Sequence, residues 1–479
     1  MADGAKLGPK VRALRRREDL TQAQLAERLG ISPSYLNLIE NNRRTLSASL
    51  LIKLAQLFDL DIHAFAQDDV GQIMGDLLEV LADPMFEAQE LTQAEVRELA
   101  VNNPNIARAM LTLYRAFRTA RDSGGTWMEE VDDDSAAVSQ RAVLPSEEVN
   151  DWVQRASNYF PEIEEAAESL WRAARLDPYE VRRGLIEYLH SVHGIRVKVE
   201  QESIMRGAIR RFDERNHLLR LGEVLPPRSR NFQLAYQIAF VDHAEVLDRL
   251  VKDPSLTTDA SRRLGRVALA NYFAAAVMMP YDRFRSSAQT LRYDVELLCH
   301  RFRTSFEQVC HRLTTLARPG AEGVPFHLLR MDVAGNISKR FSASGFRFAR
   351  FSGACPRWNE HTAFLAPGLI RRQVSEMPDG SRYFCVARTV QDELGGFHAA
   401  HSIHAVGIGC DIRYAKELVY ADGLDFEDAD VVPVGVTCRT CERMDCEQRA
   451  FPSMMQPLNV DEQVRGRSLY VAVPGRDDT

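Results

Sequence analysis

The chain has 479 residues, a formal charge of −7 at pH 7 and 45% hydrophobic residues. That length allows two to four domains with ample core. The net negative charge excludes a uniformly basic nucleic-acid binder, so any affinity for DNA has to be local.

Taken in chain order, the first legible element is Thr21 to Arg44, TQAQLAERLGISPSYLNLIENNRR. Thr21 suits an N-cap and Gln24 completes a capping box, with Leu20 and Leu25 as a hydrophobic staple. Gly30 suits a sharp turn with positive φ. Ser32 caps the next helix and Pro33 fits its first position. Leu36 and Ile39 point inward, leaving Ser34, Tyr35, Asn37 and Asn41 outward, short polar side chains of the kind that read base edges. Residues 1–60 hold ten Lys/Arg against six Asp/Glu, a net of +4. Arg15 and Arg16 before the helix pair, and Arg43 and Arg44 after it, are candidate phosphate contacts. Gln22 and Ser32 at the helix starts complete the candidate DNA-binding set. The segment resembles the XRE-type, phage-repressor-like helix-turn-helix family over about residues 7–65, which implies a double-stranded DNA operator as partner.

Residues 61–150 carry eighteen acids against six bases, a net of −12, and should be repelled by DNA. Helical periodicity runs through Met74, Leu77, Leu78 and Leu81. Residues 122–145, with GG and EEVDDDS, read as a flexible acidic linker. A long helix is predicted from Ser146 to about Leu176, broken by Asp177-Pro178. Residues 179–320 read as mostly helical, with short strands near Ile195–Val199 and His217–Leu221.

Arg230 to Phe240, RNFQLAYQIAF, and Ala270 to Pro280, ANYFAAAVMMP, resemble the IrrE/ImmA-type metallopeptidase fold. In that family the first helix carries His-Glu-x-x-His, two imidazoles for zinc and a carboxylate that activates water. The matching positions here are Tyr236, Gln237 and Phe240. Neither ring can replace a neutral imidazole, and Gln237 is no general base. Val267, Ala268 and Leu269 leave no third ligand before Ala270-Asn271. Peptidase activity is therefore not expected, and no Ser-His-Asp or Cys-His arrangement suggests a hydrolase. A retained hollow lined by Tyr236, Phe240 and Tyr272, with Gln237 as polar handle, suits a small, partly apolar ligand. Arg206, Arg210 and Arg211 could meet phosphates. The competing expectation is aromatic core and solvated arginines.

From residue 325 the pattern is mixed. Phe326–Val333 and Ile337–Phe341 flank Ala334-Gly335-Asn336, a hairpin signal. Tyr383–Val390 and Ala405–Cys410 are strand-like, and Ala415–Ala421 reads as a helix ending at Gly423. Cys438, Cys441 and Cys446 form a Cys-x-x-Cys-x-x-x-x-Cys motif. A closed site needs a fourth thiolate, and Cys355, followed by Pro356, is the best candidate. Arg439, Arg443 and Arg449 stand beside the motif, and nearby cations should lower thiol pKa. Four thiolates suit an iron–sulfur cluster, [4Fe-4S] in type, or structural zinc, while buried free thiols stay open as the third reading. Cys299, Cys310, Cys385 and Cys410 read as core. His398, His401 and His404 would converge only on a helix, which Gly395 and Gly396 oppose.

The stretches Gly353–Asn359, Gly409–Asp411 and Gly435–Ala450 look like those of the short-chain fatty acyl-CoA regulators, bacterial transcription factors with an XRE head, an IrrE-like middle and a cysteine-bearing C-terminal region. The functional type that looks most similar is the propionyl-CoA-responsive regulators of propionate or acetate assimilation. The resemblance implies sensing of a short-chain acyl-CoA, and an iron–sulfur cluster in at least some members, matched by Cys438, Cys441 and Cys446.

The expected architecture is multidomain and mainly α with an α+β C-terminal part. A helix-turn-helix bundle at 1–68 is followed by a helical connector and acidic linker at 69–145. A metallopeptidase-like middle domain without its metal ligands covers 146–320, and a mixed domain with the cysteine motif covers 321–479. The expected function is a non-enzymatic, sequence-specific transcriptional regulator that binds its operator as a homo-oligomer, a dimer or higher, and responds to a short-chain acyl-CoA. The alternative is a regulator whose signal is the cluster itself. MADGAKLGPK lacks the apolar core of a signal peptide. The apolar run 267–280 is too short to span a bilayer. A cytoplasmic protein with reduced cysteines, away from membranes, is expected.

Overall fold

The computed structural model describes residues 144–350, 353–391, 401–426 and 431–453. Before them it describes 20–40, 69–86 and 92–122, with single positions 11, 12, 15, 44, 50, 53, 54, 57 and 58. Most of the acidic linker expected at 122–145 lies outside these residues, as do Arg16, Asn41, Arg43 and His398. The chain divides into two compact units, residues 1–81 with 88–111, and residues 82–87 with 112–479.

In the first unit, α1 (Gln22–Leu29) and α2 (Pro33–Glu40) form the helix pair. Thr21 and Gln24 close the predicted capping box, and Gly30 ends α1 at φ 71° in the left-handed region. Leu25, Ala26, Leu29, Leu36 and Ile39 are buried together with Val11, Leu50 and Leu54. Three further helices follow: α3 (Asp69–Leu81), α4 (Gln93–Asn102), capped by Thr92 and Glu95, and α5 (Pro104–Asp122), which runs on into the second unit.

The second unit begins its middle region with α6 (Pro145–Arg155) and α7 (Pro161–Ala173). The single helix predicted over 146–176 is therefore two. Ser157 and Asn158 take positive φ of 51° and 50°, and Pro161 starts α7 because its missing N–H costs nothing there. After α8 (Val181–His193) a three-stranded sheet forms from β1 (Arg196–Glu200), β2 (Arg210–Asp213) and β3 (Leu218–Gly222), with α9 (Glu202–Met205) between the first two. The order is β1-β3-β2, with β1 parallel and β2 antiparallel to β3. The strand pair at 195–199 and 217–221 is as predicted, while β2 is additional. Helices α10 (Pro227–Asp242), α11 (Ala244–Leu250), α12 (Asp259–Met278), α13 (Tyr281–Thr290), α14 (Val295–Phe302) and α15 (Phe306–Leu313) complete the region. Tyr272 on α12 and Glu164 on α7 lie in this core, where Arg312 of α15 forms a buried ion pair with Glu164.

The C-terminal region is a six-stranded sheet of order β5-β4-β8-β7-β6-β9. The hairpin β4 (Phe326–Asp332) and β5 (Ile337–Ser342) turns at Gly335, as predicted. After α16 (Asn359–Ala363) come β6 (Arg371–Glu376), β7 (Arg382–Gln391), β8 (Ile403–Asp411) and β9 (Val431–Pro433). Residues 412–417 and 419–421 are two short 3₁₀ turns rather than the predicted α-helix. Strand alternation splits the sheet. Phe326, Leu328, Phe384 and Val386 join the large core of the middle helices. Leu329, Met331, Cys385 and Ala387 face a second core with Phe346, Cys355 and Trp358. No helix among the described residues is long and apolar enough to cross a membrane.

Candidate functional site

The helix pair of the first unit presents Ser34 and Asn37 as exposed, with Tyr35 half-buried against the head's core. Ser32 accepts from the backbone N–H of Tyr35 at 3.1 Å, so its hydroxyl caps α2. Two candidate DNA contacts are committed elsewhere. Arg15 donates to Glu40 through Nε at 2.7 Å and Nη2 at 3.1 Å, and Gln22 donates to Glu40 Oε2 at 2.8 Å. Glu40 is 1% exposed. These donors hold its carboxyl below the usual range against the opposing effect of burial. They therefore bind Arg15, before α1, and Gln22, its first residue, to the end of α2. Arg44 is exposed.

In the middle region Tyr236, Gln237 and Phe240, the positions expected to match the zinc motif, lie on α10. Tyr236 and Phe240, one helical turn apart, have ring centres 5.2 Å apart. Arg210, arriving from β2, sets its guanidinium 4.0 Å from the Tyr236 ring centre and donates to Gln237 Oε1 at 2.8 Å. Arg266 of α12, which sequence reasoning missed, lies 5.4 Å from the Phe240 ring centre. Burial raises the Tyr236 pKa and lowers that of Arg210. The group thus carries a fixed cation beside Tyr236 and Gln237.

The other arginines are elsewhere. Arg211 alternates to the opposite side of β2 and is exposed, and Arg206 caps α9 at the surface. Tyr272 donates to Glu164 at 2.6 Å within the core instead of offering its hydroxyl to a ligand. Neither of the two cavities described is lined by Tyr236. One of them is an open groove of about 850 Å³ between α8 and β1, edged by Arg182, Arg183, His190 and Arg196.

The second cavity is small and is lined by Cys355, Cys438, Cys441 and Cys446 together. The Gly435 N–H points at Cys355 Sγ at 3.4 Å, and a Cβ on Gly435 would stand 2.9 Å from Cys441 Sγ. Arg449 holds the loop by donating to the carbonyls of Cys438 and Cys441 at 2.7 and 2.9 Å. Arg443 ties it to the carbonyls of Glu376 and Met377 at 2.9 and 3.0 Å. Arg439 stacks 4.9 Å from the Phe451 ring centre. The expected lowering of thiol pKa is overturned for Cys355 and Cys441, which burial holds above the ordinary value. Among the described residues no three His, Cys, Asp or Glu side chains are set to hold a single metal ion. The four thiols share a cavity without closing on one point.

Comparison with known proteins covers the whole chain. Residues 11–65 match a helix-turn-helix family, 190–314 an IrrE N-terminal-like domain, and 315–470 the C-terminal domain of the short-chain fatty acyl coenzyme A regulators. The chain is 37% identical over 469 residues to the HTH-type transcriptional regulator RamB of Mycobacterium tuberculosis, covering 97% of this chain and 98% of that one. It is 39% identical over 476 residues to a propionyl-CoA carboxylase regulator of Cereibacter sphaeroides, covering 99% and 100%. A solved Mycobacterium tuberculosis transcriptional regulator superposes with a TM-score of 0.66 at 40% identity, over 69% of this chain and all of that one.

Proposed function

The chain belongs to the short-chain fatty acyl coenzyme A regulators, a family of DNA-binding transcriptional regulators, and we propose that it senses a short-chain acyl-CoA of the propionyl-CoA size at Arg210, Tyr236, Gln237 and Phe240. The observation that carries this reading is the guanidinium of Arg210 stacked on Tyr236 and bonded to Gln237. A cation on an aromatic wall with one amide handle fits an acyl thioester: the rings take the short chain and the polar pair takes the carbonyl. Arg210 closes on Tyr236 here, so an incoming acyl group has to displace it. That displacement gives the ligand a differential affinity for two states, which a switch on DNA requires. The sensor has lost the zinc ligands and general base of a peptidase, and the protein acts by binding, as an oligomer on paired half-sites.

We propose an iron–sulfur cluster, [4Fe-4S] in type, as the group for the four thiols, a reading supported by their lining one cavity. Cys355, Cys438, Cys441 and Cys446 would hold it, and when bound it supplies a redox-active centre. Zinc is the alternative occupant, and a regulator whose signal is the cluster is the second functional reading. The chain's own part is to bind segment 353–363 against loop 434–449, through the Gly435 N–H on Cys355 Sγ, the Cys355 N–H on the Val436 carbonyl and the Trp358 indole N–H on the Gly435 carbonyl, while Arg449 braces the loop and Arg443 ties it to Glu376 and Met377.

The test is calorimetric titration of the full chain with acetyl-, propionyl- and butyryl-CoA. It is paired with binding to DNA from upstream of its own gene, with and without exposure to air. Saturable binding of one acyl-CoA, weakened in Tyr236→Ala with basal DNA binding retained, is expected. Unchanged affinity in that variant removes the assignment, and a response to air alone favours the second reading.

A further inference from the structure

Strand β1 is an edge of the three-stranded sheet, whose order is β1-β3-β2. Its parallel ladder with β3 uses alternate residues. The Arg196 N–H donates to the His217 carbonyl, and the Glu200 carbonyl accepts from the Glu223 N–H. Residues 196, 198 and 200 thus turn their backbone groups toward β3, while Val197 and Val199 turn theirs outward. Among the described residues nothing pairs with those outward groups. The open groove between α8 and β1 has Val197 in its wall, so solvent reaches this edge. A row of unpaired N–H and C=O groups is a template for another strand.

The side chains sort by face. Val197 and Val199 lie opposite Leu219 and Leu221 of β3, both in the large core. The core stops short at the edge, however: Val197 is half-buried and Val199 is 36% exposed. Arg196, Lys198 and Glu200 point to the other face. There Lys198 Nζ meets Glu200 Oε1 at 2.9 Å, and Arg220 of β3 stands 3.9 Å from the same oxygen.

We propose that β1 is the seam of a homodimer, paired antiparallel with β1 of a second copy about a two-fold axis at Lys198. The proposal rests on the oligomeric reading above and names its interface. A second copy is the occupant because Arg-Val-Lys-Val-Glu complements its own reverse. About that axis Val197 faces Val199 of the partner subunit on one side of the sheet, and Arg196 faces Glu200 of the partner subunit on the other. Apolar and opposite-charge pairs of this kind stabilise a ladder. Each valine pair also exchanges both of its outward N–H···O bonds. A strand of unrelated sequence gains the backbone bonds alone. Lys198 meets its own copy, the one unfavourable pair, and its contact with Glu200 offsets that repulsion. Pairing of one short strand buries less than the roughly 1,200 Å² of a standard interface. Val192 of α8 and Ile204 of α9, on the elements that flank β1 in the chain, are 57% and 51% exposed and are the apolar surface left to extend the contact.

The test uses the full chain, by sedimentation and by mild oxidation. Lys198→Cys changes a side chain that is 62% exposed. Opposite residues of a non-hydrogen-bonded pair have Cα atoms about 4.5 Å apart, within disulfide reach. Oxidation should give a covalent dimer that neither the wild type nor Arg211→Cys on β2 forms. Val199→Pro deletes an outward N–H and leaves the ladder to β3 intact. It should raise the dimer dissociation constant by about 5-fold or more. Should Val199→Pro fail to fold, Val199→Lys replaces it and sets a charge against Val197 of the partner subunit, with the same weakening expected. No covalent dimer beyond the wild-type level, or a position-199 variant that associates as tightly as wild type, overturns the proposal. If oligomers persist in those cases, the interface alone is wrong. A chain that sediments as a monomer at every concentration, with and without DNA from upstream of its own gene, overturns the oligomeric reading as well.

Discussion

The Arg210 guanidinium lies 4.0 Å from the ring centre of Tyr236, while its Nη1 donates to Gln237 at 2.8 Å. The two residues come from β2 and α10, so the proposed ligand at Tyr236 would act directly on the edge of the three-stranded sheet. Arg210→Ala removes the guanidinium proposed to hold the acyl carbonyl, a charged hydrogen bond of about 1.5–3 kcal/mol, while the contact with Tyr236 that the ligand no longer has to break returns about 0.5–1 kcal/mol, a net loss of about 1–2 kcal/mol. Acyl-CoA affinity is expected to fall about 5–30-fold. Arg210→Lys should not restore it, because an ammonium cannot stack and bond in one plane. Calorimetry on the two variants measures both effects; equal affinity in wild type and Arg210→Ala would assign the guanidinium a structural role only.

In the head, Arg15 and Gln22 donate to Glu40 at 2.7 and 2.8 Å, and the Glu40 carboxyl is held below its usual range. A depressed carboxylate adds stability that is complete above the unfolded value, about 4.3. That stability fades as pH falls through the folded value. Protection from hydrogen exchange over residues 22–40 of the full chain, relative to the intrinsic rate at each pH, should therefore fall below about pH 4. Glu40→Gln should exchange faster at neutral pH and lose most of this acid dependence. An identical acid profile in the variant would mean the triple contact does not hold the head together.

The helix pair was legible because its signals are local. Thr21, Gln24 and Gly30 each act within one turn, and all three perform the predicted role. The pairing of Arg15 and Gln22 with Glu40 was not legible, because that partner is 25 and 18 residues away. The break at Ser157 and Asn158 was missed because neither is glycine, although Pro161 was there to read. Strand β2 was missed because Arg-Arg-Phe-Asp lacks alternation, yet it brings Arg210 to Tyr236. The contact of His327 with Cys385 is legible only after strand pairing sets both opposite Gly409.

Tyr272 provides a control for the sensor assignment. Its hydroxyl donates to Glu164 at 2.6 Å, and Arg312 grips both oxygens of that carboxylate at 2.5 and 2.9 Å. The cluster joins α7, α12 and α15 and is closed to solvent. Glu164→Gln leaves the Arg312 charge buried without its counter-charge, and a loss of about 3–5 kcal/mol is expected in urea unfolding. Tyr272→Phe should cost about 1–3 kcal/mol and leave acyl-CoA affinity unchanged. A drop in affinity without a drop in stability would return Tyr272 to the ligand site.

The four thiols of the small cavity give the sharpest chemical test. Cys438, Cys441 and Cys446 lie within one loop, whereas Cys355 precedes it in the chain by four strands, β6 to β9, yet it lines the same cavity. If the group holds a cluster, Cys355→Ser should abolish visible absorbance in anaerobically purified protein as completely as Cys441→Ser does, while Cys410→Ser should leave it intact. Arg449→Ala should have a different signature. Its guanidinium touches carbonyls of the loop and no sulfur in the contacts described. The cluster should still assemble but be stripped faster by a chelator, because the loop has lost the clamp that holds Cys438 and Cys441 in place. Retained absorbance in Cys355→Ser would move the fourth ligand elsewhere. Equal stripping rates in Arg449→Ala and wild type would show that the loop keeps its shape without that arginine.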